Sequence, residues 1–274
     1  MQLPLKTYGG KFYLASRIVA IMPKHLHYVE PFFGGGSVLL ARDPEDRTLW
    51  LPEHRGVSEL VNDIDDRLIT FWRVIHDPVT FEEFARRVQA VPFARHEWER
   101  AHRHEYGRDT IADAVAFFVC CRQSWSGVMT TFSPVTRTRI RRRMNGNVSE
   151  WLSAVEGLPV VHAQLRRVAI ENMDAFDLIR REDTPHTLLY VDPPYLHETR
   201  TATRAYRHEM TEEQHRELLD VLMNCKSKVM LSGYPSDLYD SLLTGWTRHT
   251  FDLPNNAAGG TKKRRMTEVL WCRF

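Results

Sequence analysis

No stretch of this 274-residue chain approaches 18 consecutive apolar residues, so it offers no hydrophobic helix to span a bilayer. No basic-then-apolar leader opens it, and the expectation is a soluble protein of the compartment that makes it, the cytoplasm. Cysteine is scarce. Cys120, Cys121, Cys225 and Cys272 form neither a C-x-x-C pair nor a disulfide pattern, which suits a reducing environment. The chain has no Pro-Cys dipeptide, which removes the usual thiolate for attack on a cytosine ring carbon. The P-C-x-x-C element that zinc-dependent base deamination needs beside an H-x-E is also missing. Thirteen histidines include no H-E-x-x-H; His102 and His104 beside Glu105 read as a solvated helix face, and no metal is expected. Lysine is absent from Arg67 to Arg166.

What is present begins with Asp192-Pro193-Pro194-Tyr195, directly after the apolar run Thr187 to Val191. The prolines fix φ near −65° and lack an N–H, so the turn offers acceptors to a substrate. The tetrapeptide resembles the active-site run of enzymes that methylate an exocyclic or amide nitrogen, and an exocyclic amine is a poor nucleophile because its lone pair is delocalised into the ring. Donating one N–H to the Asp192 carboxylate and the other to the Pro193 carbonyl turns that lone pair out of the ring plane, which is catalysis by positioning and electrostatics. Tyr195 then offers a flat face to an extruded base. A plain turn is the alternative reading of these residue types.

A second element is Glu30-Pro31-Phe32-Phe33-Gly34-Gly35-Gly36-Ser37, read as a strand end, a glycine loop and a helix start with Ser37 as N-cap. Leu39 stands where the third glycine of a dinucleotide fingerprint belongs, which argues against a dehydrogenase. Glu30 suits a cofactor with cationic groups better than one with a pyrophosphate. Further on, Val57 to Val61 reads as a strand followed by Asn62-Asp63, where an acid holds ribose hydroxyls in nucleotide-binding sheets. The alternative is that Asp63, Asp65 and Asp66 open the helix running from Leu68 to Ile75.

At the amino end stands Lys6-Thr7-Tyr8-Gly9-Gly10-Lys11. A G-G-K opening, an E-P-F-x-G-G loop, an N-D pair and a late D-P-P-Y, in that order, resemble the Dam-type (D12 class) DNA adenine-N6 methyltransferases. The resemblance implies an α/β, Rossmann-like class I methyltransferase fold and S-adenosylmethionine as methyl donor. It implies cofactor contacts from Thr7, Tyr8, Gly9, Gly10 and Lys11, from Glu30, Pro31, Phe32, Gly34, Gly35, Gly36 and Ser37, and from Asp63, Asp174, Phe176 and Asp192. Asp192, Pro193, Pro194 and Tyr195 would hold a target adenine flipped out of double-stranded DNA. The family usually has an aromatic residue where Thr7 stands, with Tyr8 next here. Asp174 is equally well explained as a helix N-cap.

Charge is uneven. The whole chain carries +2, yet Arg67 to Arg166 holds fifteen arginines against ten acids, a local +5. Its sharpest piece, Arg137, Arg139, Arg141, Arg142 and Arg143, precedes the turn signal Asn145-Gly146-Asn147 and is expected to meet phosphates or guanine edges. The segment Arg122-Gln123-Ser124-Trp125 resembles an element of the family's target-recognition subdomain and is assigned to DNA, with core packing of Trp125 as the alternative. Lys262, Lys263 and Arg264, in the loop from Asn255 to Arg265, are expected to contact phosphate.

Short apolar runs at Tyr28 to Glu30, Val57 to Val61, Val168 to Ile170, Leu188 to Val191 and Val229 to Ser232, separated by helical patterns, predict a mostly parallel sheet. Trp246 to Leu253 and Thr267 to Phe274 predict a closing hairpin, and Thr211 with Gln214 predicts a capping box. Residues 1–66 and 167–274 are assigned to the cofactor domain, and 67–166 to an inserted, mainly α-helical recognition subdomain. The protein is expected to act as a monomer or weak dimer. Methylation of RNA or of a protein amide, and a non-catalytic DNA-binding module, are the competing functions.

Overall fold

The computed structural model describes residues 3–6, 10–199, 207–254 and 265–274. Among these the strands are β1 (His27–Glu30), β2 (Ser58–Asn62), β3 (Ile140–Arg141), β4 (Met144–Asn145), β5 (Val168–Glu171), β6 (Thr187–Val191), β7 (Lys228–Gly233), β8 (Thr247–Pro254) and β9 (Arg265–Arg273). The helices are α1 (Ala15–Val19), α2 (Asp66–His76), α3 (Pro78–Gln89), α4 (Arg95–His102), α5 (Thr110–Gln123), α6 (Gly146–Glu156), α7 (Leu158–Leu165), α8 (Ala175–Arg181), α9 (Glu212–Asn224) and α10 (Asp237–Leu242). Every strand and the capping box expected from the sequence is present. Thr211 and Gln214 exchange hydrogen bonds at the start of α9.

One seven-stranded sheet has the order β5-β2-β1-β6-β7-β9-β8. β1 runs parallel to β2 and β6, and β6 parallel to β7, whereas β9 is antiparallel to both β7 and β8. The protein is therefore α/β with a mostly parallel sheet and a C-terminal antiparallel hairpin. β6 is buried at every position, as a central strand covered on both faces must be.

The chain divides into two compact units. One comprises Met22–Phe33, Glu45–Ile64 and Glu171–Phe274. Its core gathers Val29, Leu189, Val191, Leu218, Leu222, Leu231 and Trp271, all nearly inaccessible to solvent. Helix starts here are capped by local acceptors: Asp174 for α8, Thr211 for α9 and Ser236 for α10.

The other comprises Met1–Ile21, Gly34–Pro44 and Asp65–Ile170. The helical block expected at 67–166 is there, but two segments assigned to the cofactor domain pack with it. Hydrogen bonds explain why. Lys6 binds Glu150, Cys121 Sγ donates to the Lys6 carbonyl, Trp72 Nε1 donates to the Gly34 carbonyl, and Gln164 Nε2 donates to the Leu39 and Arg42 carbonyls. Phe71, Phe84, Phe118 and Trp151 form its aromatic centre around the apolar helix α5. No helix among the described residues is long and apolar enough to cross a membrane.

Candidate active site

The strand order explains where a site can form. From β1 the chain moves to one side, through β2 to β5, and then returns to place β6 on the other flank of β1. Such a reversal opens a crevice beyond the carboxyl ends of the two flanking strands. Those ends are Glu30 on β1 and Asp192, the residue after β6. β7 ends beside them at Gly233, preceded by Ser232.

Glu30 is a buried carboxylate, 2% exposed, that accepts the Tyr28 hydroxyl at 2.6 Å. Asp192 Oδ1 is likewise buried. Tyr190, just inside β6, exchanges a hydrogen bond with Ser232 at 3.0 Å. Burial pushes the Tyr190 and Tyr195 phenols well above their ordinary value, and the charge of Asp192 adds to both shifts. Tyr239 moves the same way for the same two reasons. These phenols therefore stay protonated near neutral pH.

Tyr195 itself differs from expectation. Its ring, expected to present an open flat face, is only 4% exposed. The hydroxyl donates to Glu268 Oε2 at 2.7 Å, and Tyr234 meets the ring edge-on at 4.6 Å between centroids. Sequence reasoning gave Glu268 no role, because nothing local distinguishes it from any other acid on a hairpin strand.

Asn62 was also missed, except as half of the N-D pair. Fully buried at the end of β2, it donates to the Pro31 carbonyl at 3.0 Å and the Met173 carbonyl at 3.1 Å, and accepts from the Met173 amide at 2.9 Å. Its own carbonyl takes the Phe33 amide at 2.8 Å. One side chain thus ties together the turns that follow β1 and β5. Asp63 comes next, its carbonyl accepting from Asn172. The helix start that competed for Asp63 is capped instead by Asp65.

Other assignments change with the structure. Ser37 caps no α-helix: only a 3-10 helix at Leu39–Ala41 follows, and its N-cap position is Val38, with no side-chain cap. Gly34 and Gly36 do adopt positive φ, at 50° and 69°, the backbone freedom the loop was expected to need. Asp174 is a helix cap, accepting from the Phe176 and Asp177 amides, and Phe176 packs into the core. Lys11 is buried, and its carbonyl starts α1. Thr7, Tyr8, Gly9, Lys262, Lys263 and Arg264 lie outside the described residues.

In the helical unit, Arg122, Gln123 and Ser124 were expected on DNA but are 5%, 0% and 1% exposed. Their side chains are engaged internally: Arg122 with the Glu150 carbonyl, Gln123 with Pro92 and Ala94, Ser124 with Cys121 and Met129. Trp125, by contrast, is 51% exposed, so it is not a core residue. The arginine run forms a two-stranded hairpin of β3 and β4. Its turn is Arg142-Arg143, both at positive φ, and not Asn145-Gly146-Asn147; Asn145 instead caps α6, and Gly146 packs against Arg139. Positive φ at both central residues is the type I′ pattern, which matches strand twist even without glycine. Arg137, Arg139, Arg141, Arg142 and Arg143 are all exposed. Glu150 takes Arg139 at 2.5 Å and Arg141 at 3.4 Å, and Glu156 takes Arg142, while Arg137 and Arg143 have no acid partner among the described residues.

The sequence pattern of the D12 class N6 adenine-specific DNA methyltransferases matches residues 8–255, nearly the whole chain. The chain belongs to that family. It is also similar to the Type II methyltransferase M1.LlaDCHI of Lactococcus lactis subsp. cremoris, with 24% identity covering 96% of this chain and 92% of the relative. Among solved structures it resembles the putative methyltransferase yhhF from Escherichia coli at a TM-score of 0.36 and 10% identity, over 95% of this chain and 82% of the other. For a DNA adenine methyltransferase of this family, the Asp192 rim at the crevice and the exposed arginine hairpin are the parts to be explained. Among the described residues no group of three or more histidine, cysteine or acidic side chains is arranged to hold a metal ion.

Proposed function

We propose that this methyltransferase transfers the methyl group of S-adenosylmethionine to the N6 amine of an adenine extruded from double-stranded DNA, at a specific sequence. The observation that carries the reading is the placement of Asp192-Pro193-Pro194-Tyr195 at the carboxyl end of β6, beside Glu30 at the crevice where strand order reverses.

The residues present suit this cofactor. Glu30 is a buried acid able to meet a cationic amino group, and Asp63 directly follows β2, where an acid can take ribose hydroxyls. When bound, S-adenosylmethionine supplies a methyl group on a positively charged sulfur, which leaves as a neutral thioether. The chain's own contribution is orientation. The Asp192 carboxylate accepts one N6 hydrogen and the Pro193 carbonyl the other, which localises the nitrogen lone pair. As the N–CH3 bond forms, the nitrogen becomes cationic, and Asp192 stands against that developing charge. One N6 proton of the methylated amine then passes to water, leaving the neutral N6-methyl amine.

The exposed arginines of the β3–β4 hairpin and the exposed Trp125 support a DNA-facing role for the helical unit. The likeness to a type II methyltransferase supports a place in a restriction-modification pair. The test is to incubate the protein with labelled S-adenosylmethionine and, separately, unmethylated plasmid DNA, RNA and protein, then map modified bases. Label on adenine N6 in DNA is expected, and Asp192→Ala should abolish it while largely sparing DNA binding. Transfer to RNA or protein alone would overturn the proposal, and so would near-normal turnover of the variant.

A further inference from the structure

Glu268 lies on β9, among Val269, Leu270, Trp271 and Cys272, each no more than 2% exposed. A carboxylate 8% exposed in such a strand is costly to bury unless it is engaged. It accepts the Tyr195 hydroxyl at 2.7 Å. The register explains the encounter: β9 is antiparallel to β7 with Val269 opposite Gly233, so Glu268 stands one residue beyond the last pair, at the same rim as Asp192. Tyr234, the next residue after β7, closes on the Tyr195 ring edge-on at an interplanar angle of 71°.

We propose that Glu268 is a positioning residue for methyl transfer: by anchoring the Tyr195 hydroxyl it sets where the Asp192 carboxylate and the Pro193 carbonyl stand. The proposal rests on the role given above to the tetrapeptide. The two prolines between Asp192 and Tyr195 have fixed φ, so the segment is stiff, and pinning one end constrains the other. A hydroxyl held by a carboxylate, with a second ring against it, leaves Tyr195 little freedom to swing. Misplacing a catalytic acceptor by about 1 Å slows transfer far more than it weakens binding.

The experiment compares wild type, Tyr195→Phe, Glu268→Ala, Glu268→Gln and the Tyr195→Phe/Glu268→Ala double variant. Each is mixed in excess with a duplex containing a mapped methylation site, and the single-turnover rate constant is followed beside DNA affinity and thermal stability. At saturating enzyme the rate constant does not depend on the folded fraction, so loss of positioning lowers it and a partial folding defect does not. Tyr195→Phe and Glu268→Ala are each expected to slow the rate constant about tenfold or more, with DNA affinity changed by less than about threefold. The double variant should be no slower than the worse single one, because both remove the same bond. Glu268→Gln, which keeps an acceptor, should recover most of the loss. A normal rate constant for Glu268→Ala, or effects that multiply, would overturn the proposal. Should Glu268→Ala not fold, Tyr195→Phe deletes the same bond from the other side, and a normal rate constant there overturns it equally. Failure of the wild type to methylate DNA adenine would instead defeat the functional reading.

Discussion

Arg143 offers a test in which stability and function move in opposite directions. It adopts φ 61° at the second central position of the β3–β4 turn, next to Arg142 at φ 51°. A left-handed conformation costs a non-glycine residue about 1–2 kcal/mol. Glycine removes that strain but returns about 0.5–1 kcal/mol through its greater freedom in the unfolded chain. Arg143→Gly should therefore stabilise the protein by about 0.5–1 kcal/mol, roughly 1–4 °C in Tm for a chain of this size. No acid among the described residues pairs with Arg143, so the substitution forfeits no ion pair. Arg142 differs: its guanidinium is held by both Glu156 oxygens, at 2.8 and 3.0 Å, and by Ser153 Oγ at 3.0 Å. A DNA phosphate must displace those partners from Arg142 but meets Arg143 directly. Fluorescence anisotropy with labelled duplex across a salt series should give a weaker complex for Arg143→Gly, with the slope of log affinity against log salt shallower by about 0.9. Two results would refute the reasoning. A lower Tm would mean that the turn is not strained, and an unchanged slope would mean that Arg143 touches no phosphate.

Three further outcomes are expected. Asn62→Ala removes three side-chain hydrogen bonds from a fully buried position, and urea titration should show a loss of about 2–4 kcal/mol; a loss under about 0.5 kcal/mol would contradict the tying role. Glu150 is half-buried, and burial alone would raise its pKa, but Lys6 and Arg139 with Arg122 outweigh it and hold the carboxyl below its ordinary 4.5. The fold thus favours the ionised form, so its contribution is complete above about pH 4.5 and fades as the pH falls; the stability gap between wild type and Glu150→Gln should narrow on acidification, and a widening gap would reverse the assignment. Trp125→Ala, at a half-exposed site, should leave stability within about 0.5 kcal/mol while weakening DNA binding; a larger loss in a melting curve would make Trp125 a packing residue after all.

Features written in neighbouring residues are legible in the sequence itself. The apolar runs of β1, β2, β6 and β7, the Thr211-to-Gln214 capping box and the Asp192 tetrapeptide depend on residues a few positions apart, so strand, cap and turn follow from local chemistry. The Asn145-Gly146-Asn147 signal misled because the same residue types that make turns also cap helices, and only packing chooses between them.

What tertiary structure alone decided involves partners far apart in the chain. Tyr195 meets Glu268 across 73 positions, Asn62 meets Met173 across 111, and Lys6 meets Glu150 across 144. Arg122 and Gln123 look like DNA contacts in a string of letters, yet α5 turns them inward, where they donate to the Glu150 and Pro92 carbonyls. Local pattern determines which backbone a segment prefers. Which polar groups are left to meet a substrate depends on what the fold has already engaged, and that is settled only when distant segments pack.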